Sequence, residues 1–323
     1  MHAVTDRASP YATLYKEAFS IVRDPLVYLF PAYTRIPSRW IPYRYRARQA
    51  NERLRQILYK IIEDRKQAIT DNTNNDQSKK DLLTMMIEAS VTQFSPDSDS
   101  LGSSHAFLTD GELVSNLAVF FVAGHETTAS ATASMIYYLA SHPEIQERAR
   151  MEVLSILGDD DQDVAPTEEQ LRQMPFLNNC IKETMRINPP TSGNLPRIAA
   201  QDTRIGDFFI PKGTPISLEL YCVHHLAKYW HEPQVFNPDR FDPTHASYMK
   251  DAIWMPFGYG PRTCIGSNFS LFEQRVLHAM LLKRYTWSLV PNSEHANGLQ
   301  NQRGGGIGLL GPETLHIQLT RRY

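Results

Sequence analysis

Apolar residues recur at helical spacing along most of the chain, with charged residues on the opposite faces. Over residues 46–69 the apolar positions on one face are Leu54, Ile57, Leu58, Ile61 and Ile62. The same pattern predicts helices over 11–22, 81–89, 141–157 and 175–187. A longer helix is predicted to begin at Thr109, where T-D-G-E fits a capping box, and to end before Pro143.

Shorter alternating segments follow the helical region. Residues 197–220 alternate between apolar and polar positions, and Pro211-Lys212-Gly213 is predicted to form a hairpin turn. A helix is predicted after residue 264, and a strand over 315–319. Polar stretches at 71–80 and 94–107 predict loops. The predicted fold class is therefore mainly α with small β-sheets.

Composition excludes several classes of protein. Lys and Arg total 33 and Asp and Glu total 35, so the near-neutral chain is not expected to bind nucleic acid. No apolar run is long enough to span a bilayer. The three cysteines form no C-x-x-C, which favours a reducing compartment without a structural zinc site. Cys180 in a helical pattern and Cys222 in a strand-like pattern are predicted to be small core residues.

Aromatic residues and arginines alternate over residues 26–45. Arg39 and Arg44 stand beside Trp40, Tyr43 and Tyr45. Amphipathic rings and cations of this kind suit the headgroup level of a membrane, so peripheral membrane contact is one interpretation. A loop whose arginines are merely solvated is the alternative.

The middle of the long helix contains A-G-H-E-T-T, residues 123–128. The helix is mostly apolar there and is predicted to be buried, yet Gly124, Glu126 and two threonines fit an apolar core poorly. Threonine hydroxyls can bond to carbonyls one turn back and open a helix. These residues favour a cavity wall, and a close helix crossing is the alternative. A zinc H-E-x-x-H is excluded because Ala129 replaces the second histidine.

One cysteine lies in the glycine-rich stretch F-G-Y-G-P-R-T-C-I-G, residues 257–266, just before a helical pattern. Glycines let a backbone turn sharply and approach a flat partner. A helix N-terminus favours the thiolate form of a cysteine. A thiolate facing a flat partner suggests haem iron held by the sulfur of Cys264.

Glu183 and Arg186 lie three residues apart on the helix predicted over 175–187. Such a pair is usually a surface contact worth about 0.2–0.5 kcal/mol. Alone it indicates little.

Together these motifs, with F-N-P-D-R-F at 236–241, resemble the cytochrome P-450 family of haem-thiolate monooxygenases. The stretch 257–266 matches the family pattern F-x-x-G-x-R-x-C-x-G at every specified position. Residues 123–128 match A-G-x-[DE]-T-[ST], residues 183–186 match E-x-x-R, and the motifs follow one another in the family order. The resemblance covers residues 11–323. It implies a cytochrome P-450 fold that is truncated at the N-terminus, without the anchor and early helices. A single partial domain is expected over 1–323, with roof helices and a connector over 1–108 and a haem-binding core over 109–323.

The resemblance also implies a role for each motif residue. Cys264 would be the axial iron ligand, and Glu183, Arg186 and Arg240 would form a buried ion network behind it. Arg262 and Arg197 would pair with haem propionates. The other implied haem contacts are Phe257, Gly258, Gly266 and Thr128.

On the oxygen side, Thr127 would hydrogen-bond O2 and water, and Glu126 would help to relay protons. Substrate would meet Phe120, Ala123, Leu195 and Ile307, which suggests a hydrophobic small molecule.

The resemblance implies an iron-dependent oxidoreductase that takes electrons from an NADPH-dependent reductase. It also implies a location at the endoplasmic reticulum membrane. Two alternatives stay open. One is a haem-thiolate isomerase or dehydratase, against which the Glu126–Thr127 pair argues. The other is a truncated, non-catalytic fragment that binds haem weakly or not at all.

Overall fold

A computed structural model describes residues 10–18, 20, 26, 30–71, 81–91, 108–244, 254–302 and 308–323. The chain divides into two compact units, Met1–Ala123 and Gly124–Tyr323, and the boundary falls inside one long helix. Helices predominate, and the strands that the structure describes form small antiparallel sheets in the second unit. The prediction of a mainly α fold with small β-sheets is confirmed. The single domain expected over 1–323 stays a prediction.

The first unit is helical where it is described. It contains α1 (Pro10–Ala18), α2 (Pro42–Thr70), α3 (Leu82–Val91) and the start of α4 (Asp110–Ser141), with short 3-10 turns at Pro31–Arg35 and Ser38–Trp40. Helix α2 confirms the prediction over 46–69. It begins earlier because a proline suits the first helical turn, where its missing N–H costs nothing. The end of the helix predicted over 11–22, and the loop predicted over 94–107, lie outside the described residues.

A buried apolar cluster joins α2, α3 and α4 in this unit, formed by Ile62, Ile87, Leu113 and Val114. The start of α4 is fixed by the predicted capping box. The Thr109 N–H donates to Glu112 Oε2 at 2.7 Å, and the Glu112 N–H donates to Thr109 Oγ1 at 3.3 Å.

The prediction that the middle of α4 is buried is wrong at residues 119, 121 and 123–125, which are exposed. Val119 is 61% exposed and Phe121 is 43% exposed, whereas Met135 and Leu139 further along are fully buried. An apolar pattern does not distinguish side chains that fill a core from those that face an open cavity. None of the helices that the structure describes has the length and apolar character needed to cross a membrane.

Most helices described in the second unit pack around an apolar core. The helices are α5 (Pro143–Leu157), α6 (Glu168–Arg172), α7 (Pro175–Ile187), α8 (Leu220–His225) and α9 (Ser267–Arg284). The core takes Val153 from α5, Leu177 and Ile181 from α7 and Leu282 from α9. Helix α7 has the predicted bounds, with Pro175 in its first turn.

Four short strands precede α8: β1 (Arg197–Ile198), β2 (Thr203–Ile205), β3 (Phe208–Ile210) and β4 (Pro215–Ile216). β1 pairs with β4, and β2 pairs with β3, so the hairpin turns at Gly206, where φ is +58°. The predicted hairpin at 211–213 is wrong. The chain does turn there, but Gly213 donates its N–H to Ala199 O at 2.8 Å and leads the chain from one sheet to the other.

The C-terminal strand β6 (Ile317–Arg321) confirms the strand predicted near the end of the chain, and it pairs with β5 (Tyr285–Leu289). β5 was not predicted because it follows α9 directly, without a glycine or proline to mark the change. Cys180 is buried as predicted. The prediction for Cys222 is wrong: it lies in α8 and is exposed, because this short helix turns it towards solvent.

Candidate functional site

The glycine-rich stretch folds into a loop that closes on itself. Gly258 and Gly260 have φ values of +75° and +79°, in the left-handed region that favours glycine. The Cys264 N–H donates to Phe257 O at 2.9 Å, and the Thr263 hydroxyl donates to the same oxygen at 3.2 Å. The loop therefore ends with Cys264 at a fixed position, and its thiol is exposed.

Helix α9 begins immediately after this cysteine. Gly266 is its N-cap residue and accepts the Ser270 N–H at 2.9 Å. The partial positive charge of a helix N-terminus favours negative charge beside it. Cys264 thus lies directly before the N-terminus of α9.

The surface around Cys264 is apolar and open. Ile265 is 85% exposed and Phe269 is 68% exposed. A Cβ built on Gly258 or Gly260 would meet no atom within 4 Å. A soft sulfur ligand, an apolar surface and a glycine backbone without side chains together fit a flat, metal-bearing macrocycle.

A buried ion network lies on α7 and the coil that follows α8. Arg186 forms a two-pronged contact with Glu183, at 2.8 Å from Nε to Oε2 and 2.9 Å from Nη2 to Oε1. Arg240 donates from Nε to the same carboxylate at 3.0 Å, and the Asn237 N–H donates to it at 2.9 Å. The side chains of Glu183 and Arg186 are fully buried. The structure therefore brings the three predicted network residues together.

The ion network is linked through His224 to the residues that lead into the cysteine loop, which is residues 257–266. Arg186 donates from Nη1 to His224 O at 2.9 Å, and the Met255 N–H donates to His224 Nε2 at 3.0 Å. The Trp254 indole also donates to Lys182 O at 3.0 Å. Both bonds hold the start of the cysteine loop against α7 and α8. Sequence reasoning missed His224, since a histidine on a short helix carries no local signal of its partner.

The oxygen-side residues lie on α4 in the second unit. Glu126 and Thr127 are half-buried, and Gly124 is exposed, with no atom within 4 Å of a Cβ built on it. Thr128 is buried, and its hydroxyl lies 3.1 Å from the Ser270 hydroxyl. This contact joins α4 at Thr128 to α9, the helix that follows the loop of residues 257–266.

The predicted propionate partners, Arg197 and Arg262, are both exposed. Arg197 donates from Nη1 to Leu195 O at 2.7 Å. Phe257 is half-buried and packs edge-on against Trp254, with ring centroids 6.4 Å apart.

The predicted substrate contacts fall in different parts of the chain. Phe120 is half-buried and Ala123 is exposed, both in the first unit, whereas Leu195 is 74% exposed in the second. Ile307 lies outside the described residues. Near it, the Ser192 N–H donates to Gly308 O at 2.7 Å, so the segment that follows Ile307 lies beside the one that leads to Leu195.

Comparison with known proteins identifies the family of the chain. The sequence model of the cytochrome P-450 family matches residues 2–317, nearly the whole chain. The chain belongs to the cytochrome P-450 family.

Its relatives include cytochromes P-450 from animals and plants. Cytochrome P-450 3A13 from Mus musculus is 36% identical over 65% of this chain and 40% of its own length. An 11-oxo-beta-amyrin 30-oxidase from Glycyrrhiza uralensis is 30% identical over 89% of this chain and 54% of its own length. A cytokinin hydroxylase from Arabidopsis thaliana is 31% identical over 80% of this chain and 48% of its own length. The chain thus spans about half the length of the relatives that it matches.

Because two histidines are buried, we expect this cytochrome P-450 chain to lose stability in mild acid. Burial lowers the pKa of His224 to about 3, with the Arg186 guanidinium adding to the effect, and burial lowers the pKa of His278 to about 4. Both imidazoles titrate near pH 6.5 in an unfolded chain, so below that pH the unfolded state binds more protons than the folded state. The free energy of unfolding is expected to fall between pH 6.5 and about 4, by roughly 1.4 kcal/mol per pH unit and histidine.

Urea unfolding at successive pH values measures this slope. His278→Gln and His224→Gln should each make this slope smaller. The carboxylates contribute equally to the slope in the variants and in the unchanged chain, so their contribution cancels in the comparison. A slope that neither variant changes would contradict the prediction.

Proposed function

We propose that this chain acts as a haem-thiolate monooxygenase, which inserts one oxygen atom of O2 into a hydrophobic small molecule. The second oxygen atom leaves as water, with two electrons from an NADPH-dependent reductase and two protons. The observation that carries the proposal is the exposed Cys264 thiol at the N-terminus of α9, on a loop that a buried ion network anchors.

Bound haem would supply an iron centre whose thiolate ligand favours cleavage of the O–O bond. Cys264 is the residue that would hold the iron through its sulfur. Gly258, Gly266 and Phe257 are the further proposed haem contacts. A Cβ on Gly266 would lie 3.9 Å from Cys264 Sγ, and Phe257 packs against Trp254. Arg197 and Arg262 have exposed guanidinium groups that suit carboxylate recognition, so they are the proposed partners of the two propionates.

The proposed role of Glu183, Arg186 and Arg240 is structural. Both guanidinium groups share the buried Glu183 carboxylate, and Arg186 also ties α7 to α8 by donating to His224 O. The cysteine loop then takes its position from His224 and Lys182. The network therefore presets the place of the thiol before a ligand arrives.

Thr127 and Glu126 are the proposed proton-handling pair on the opposite side of the haem. A hydroxyl can donate one hydrogen bond and accept others, and a carboxylate can exchange protons with solvent. Both side chains are half-buried on α4, so they can meet a cavity and water together. Thr128 is proposed to contribute to the same haem-facing surface.

The substrate class is proposed from the lining residues and from the names of the relatives. Phe120, Ala123, Leu195 and Ile307 offer small and apolar contacts. Relatives are named as an 11-oxo-beta-amyrin 30-oxidase and a cytokinin hydroxylase. These names describe oxidation of small molecules, which supports the same reaction class here.

Peripheral contact with the endoplasmic reticulum membrane is proposed for the first unit. Phe30 is 60% exposed and Trp40 is 69% exposed, and the Arg39 guanidinium lies 6.0 Å from the centre of the Trp40 ring. Exposed aromatic rings beside arginine are suited to the headgroup region.

The test of the proposed function is haem ligation followed by turnover. The chain is expressed, loaded with haem, reduced and exposed to carbon monoxide, and its Soret band is recorded. A strongly red-shifted band supports thiolate ligation, and substrate-dependent consumption of NADPH with the reductase supports a monooxygenase. Failure to take up haem would favour a non-catalytic fragment. Peroxide rearrangement without a reductase would favour an isomerase or dehydratase.

Thr127→Ala is expected to lower the product formed per O2 consumed by about 10²-fold, the lower end for loss of a positioned proton-transfer group. Thiolate ligation should be unchanged, since Thr127 is proposed to face the side of the haem away from Cys264. Parallel measurement of O2 consumption and product gives the ratio. Thr132→Ala, five residues further along α4, is the control, and unchanged coupling in Thr127→Ala would remove this residue from the mechanism.

A further inference from the structure

One face of α9 carries a row of polar side chains. Ser270, Gln274 and His278 lie four residues apart, so they stand above one another on the helix. Gln274 and His278 are fully buried, beside the apolar core residues Ala279 and Leu282. Polar groups in a core cost free energy unless they are hydrogen-bonded.

The N-terminal end of the row, at Ser270, is linked to α4. The Gln274 Nε2 atom donates to Ser270 Oγ at 3.2 Å, and Ser270 Oγ lies 3.1 Å from Thr128 Oγ1. One hydroxyl has a single proton and two lone pairs, so Ser270 can serve both partners at once. The other end of the row is fixed by His278 Nδ1, which lies 2.7 Å from Gln274 O.

Stability alone does not account for this row. Gln274 Oε1 and His278 Nε2 are buried and have no hydrogen-bond partner among the described residues. Each such atom lowers the stability of the folded state. Departures of this kind from a well-packed core are expected where a protein needs them for function.

The position of the row in the fold indicates what its function is. Ser270 lies six residues after Cys264, and its N–H donates to Gly266 O, so its place is tied to the cysteine loop. Its partner Thr128 directly follows Thr127. The pair of hydroxyls therefore joins the helix that follows the proposed iron ligand to the helix of the proposed proton-handling residues.

We propose that Ser270 is a positioning residue for the oxygen-side element, holding Thr128 and with it Glu126 and Thr127 at a fixed place relative to Cys264. The proposal rests on the proposed monooxygenase function. Gln274 supports it by holding the Ser270 hydroxyl towards α4.

The test begins with Ser270→Ala in the haem-loaded chain. Product formed per O2 consumed is expected to fall about ten-fold, as for loss of an outer-shell partner of a metal site. The red-shifted band of the carbon monoxide complex should be unchanged, since Ser270 does not touch the sulfur. Ser270→Thr retains the hydroxyl and is expected to restore most of the coupling.

Ser134→Ala is the matched control. Ser134 is buried on the same helix as Thr128, and it accepts from Asn188 Nδ2 at 2.9 Å. Its loss should lower stability to a similar degree without changing coupling. A Ser270→Ala variant that couples as well as the unchanged chain, or Ser134→Ala that uncouples equally, would overturn the proposal.

A second measurement does not depend on activity. Thr128→Val and Ser270→Ala are combined in a double-mutant cycle, followed by urea unfolding. The two changes are expected to be coupled by about five-fold in the unfolding equilibrium constant, the size of a net hydrogen bond. If the unchanged chain oxidises no substrate, the proposed function fails. The double-mutant cycle still measures whether Thr128 and Ser270 interact. Independent effects of the two changes would overturn the positioning role.

Discussion

Glu183→Ala is expected to lower the free energy of unfolding by about 3–5 kcal/mol, because it leaves a guanidinium buried without its counter-ion. Arg186 is fully buried, and its Nε and Nη2 atoms both donate to the carboxylate that the change removes. Arg240 and the Asn237 N–H lose the same acceptor. One substitution thus removes four hydrogen bonds from a site that water does not reach.

Urea unfolding followed by tryptophan fluorescence measures the effect, since the Arg186 guanidinium lies 4.9 Å from the centre of the Trp230 ring. Glu168→Ala is the matched control. Glu168 pairs with Arg172 on one helix in the same way, but both side chains are more than half exposed. Its unfolding midpoint should hardly change, because exposed ion pairs contribute little. Equal midpoints for the two variants would refute a stabilising role for the network.

Cys264→Ser is expected to abolish the red-shifted band of the reduced carbon monoxide complex. A serine hydroxyl stays protonated at neutral pH and does not replace a thiolate as a soft ligand. The backbone of the loop should survive, since the Cys264 N–H rather than its sulfur bonds to Phe257 O. The expected outcome is therefore a folded chain that has lost haem or binds it without sulfur.

Cys222→Ser provides the control for this change. Both cysteines are exposed and lie in the second unit, but Cys222 is on α8. The band should persist in Cys222→Ser. Persistence of the band in Cys264→Ser would show that another residue ligates the iron.

Local signals were sufficient for the long helices. Helix α7 begins and ends where Pro175 and the apolar pattern place it, and α4 begins at the capping box of Thr109. The short strands were harder, because a turn such as 211–213 does not reveal which distant strand each flank joins. Cys222 shows the same limit: six residues are too few for a helical period to be distinguished from an alternating one.

The site was predictable where a motif is contiguous. The stretch 257–266 contains its own turns and leads directly into α9, so the conformation around Cys264 can be inferred from ten residues. The contacts between Ser270 and Thr128 and between His224 and Met255 join residues far apart in the chain. They depend on how helices pack, and single-sequence patterns carry no information on that.

The anchoring of the cysteine loop has a consequence for the order of folding. Glu183 and Arg240 are 57 residues apart, and His224 and Met255 are 31 apart, so these bonds close large loops of chain. Contacts between distant residues form later than local helices, because the entropy of closing the loop must be overcome first. We expect the helices α7 and α8 to form before these contacts set the cysteine loop. Haem would then be captured by a surface that is already folded, rather than act as the nucleus around which the chain collapses.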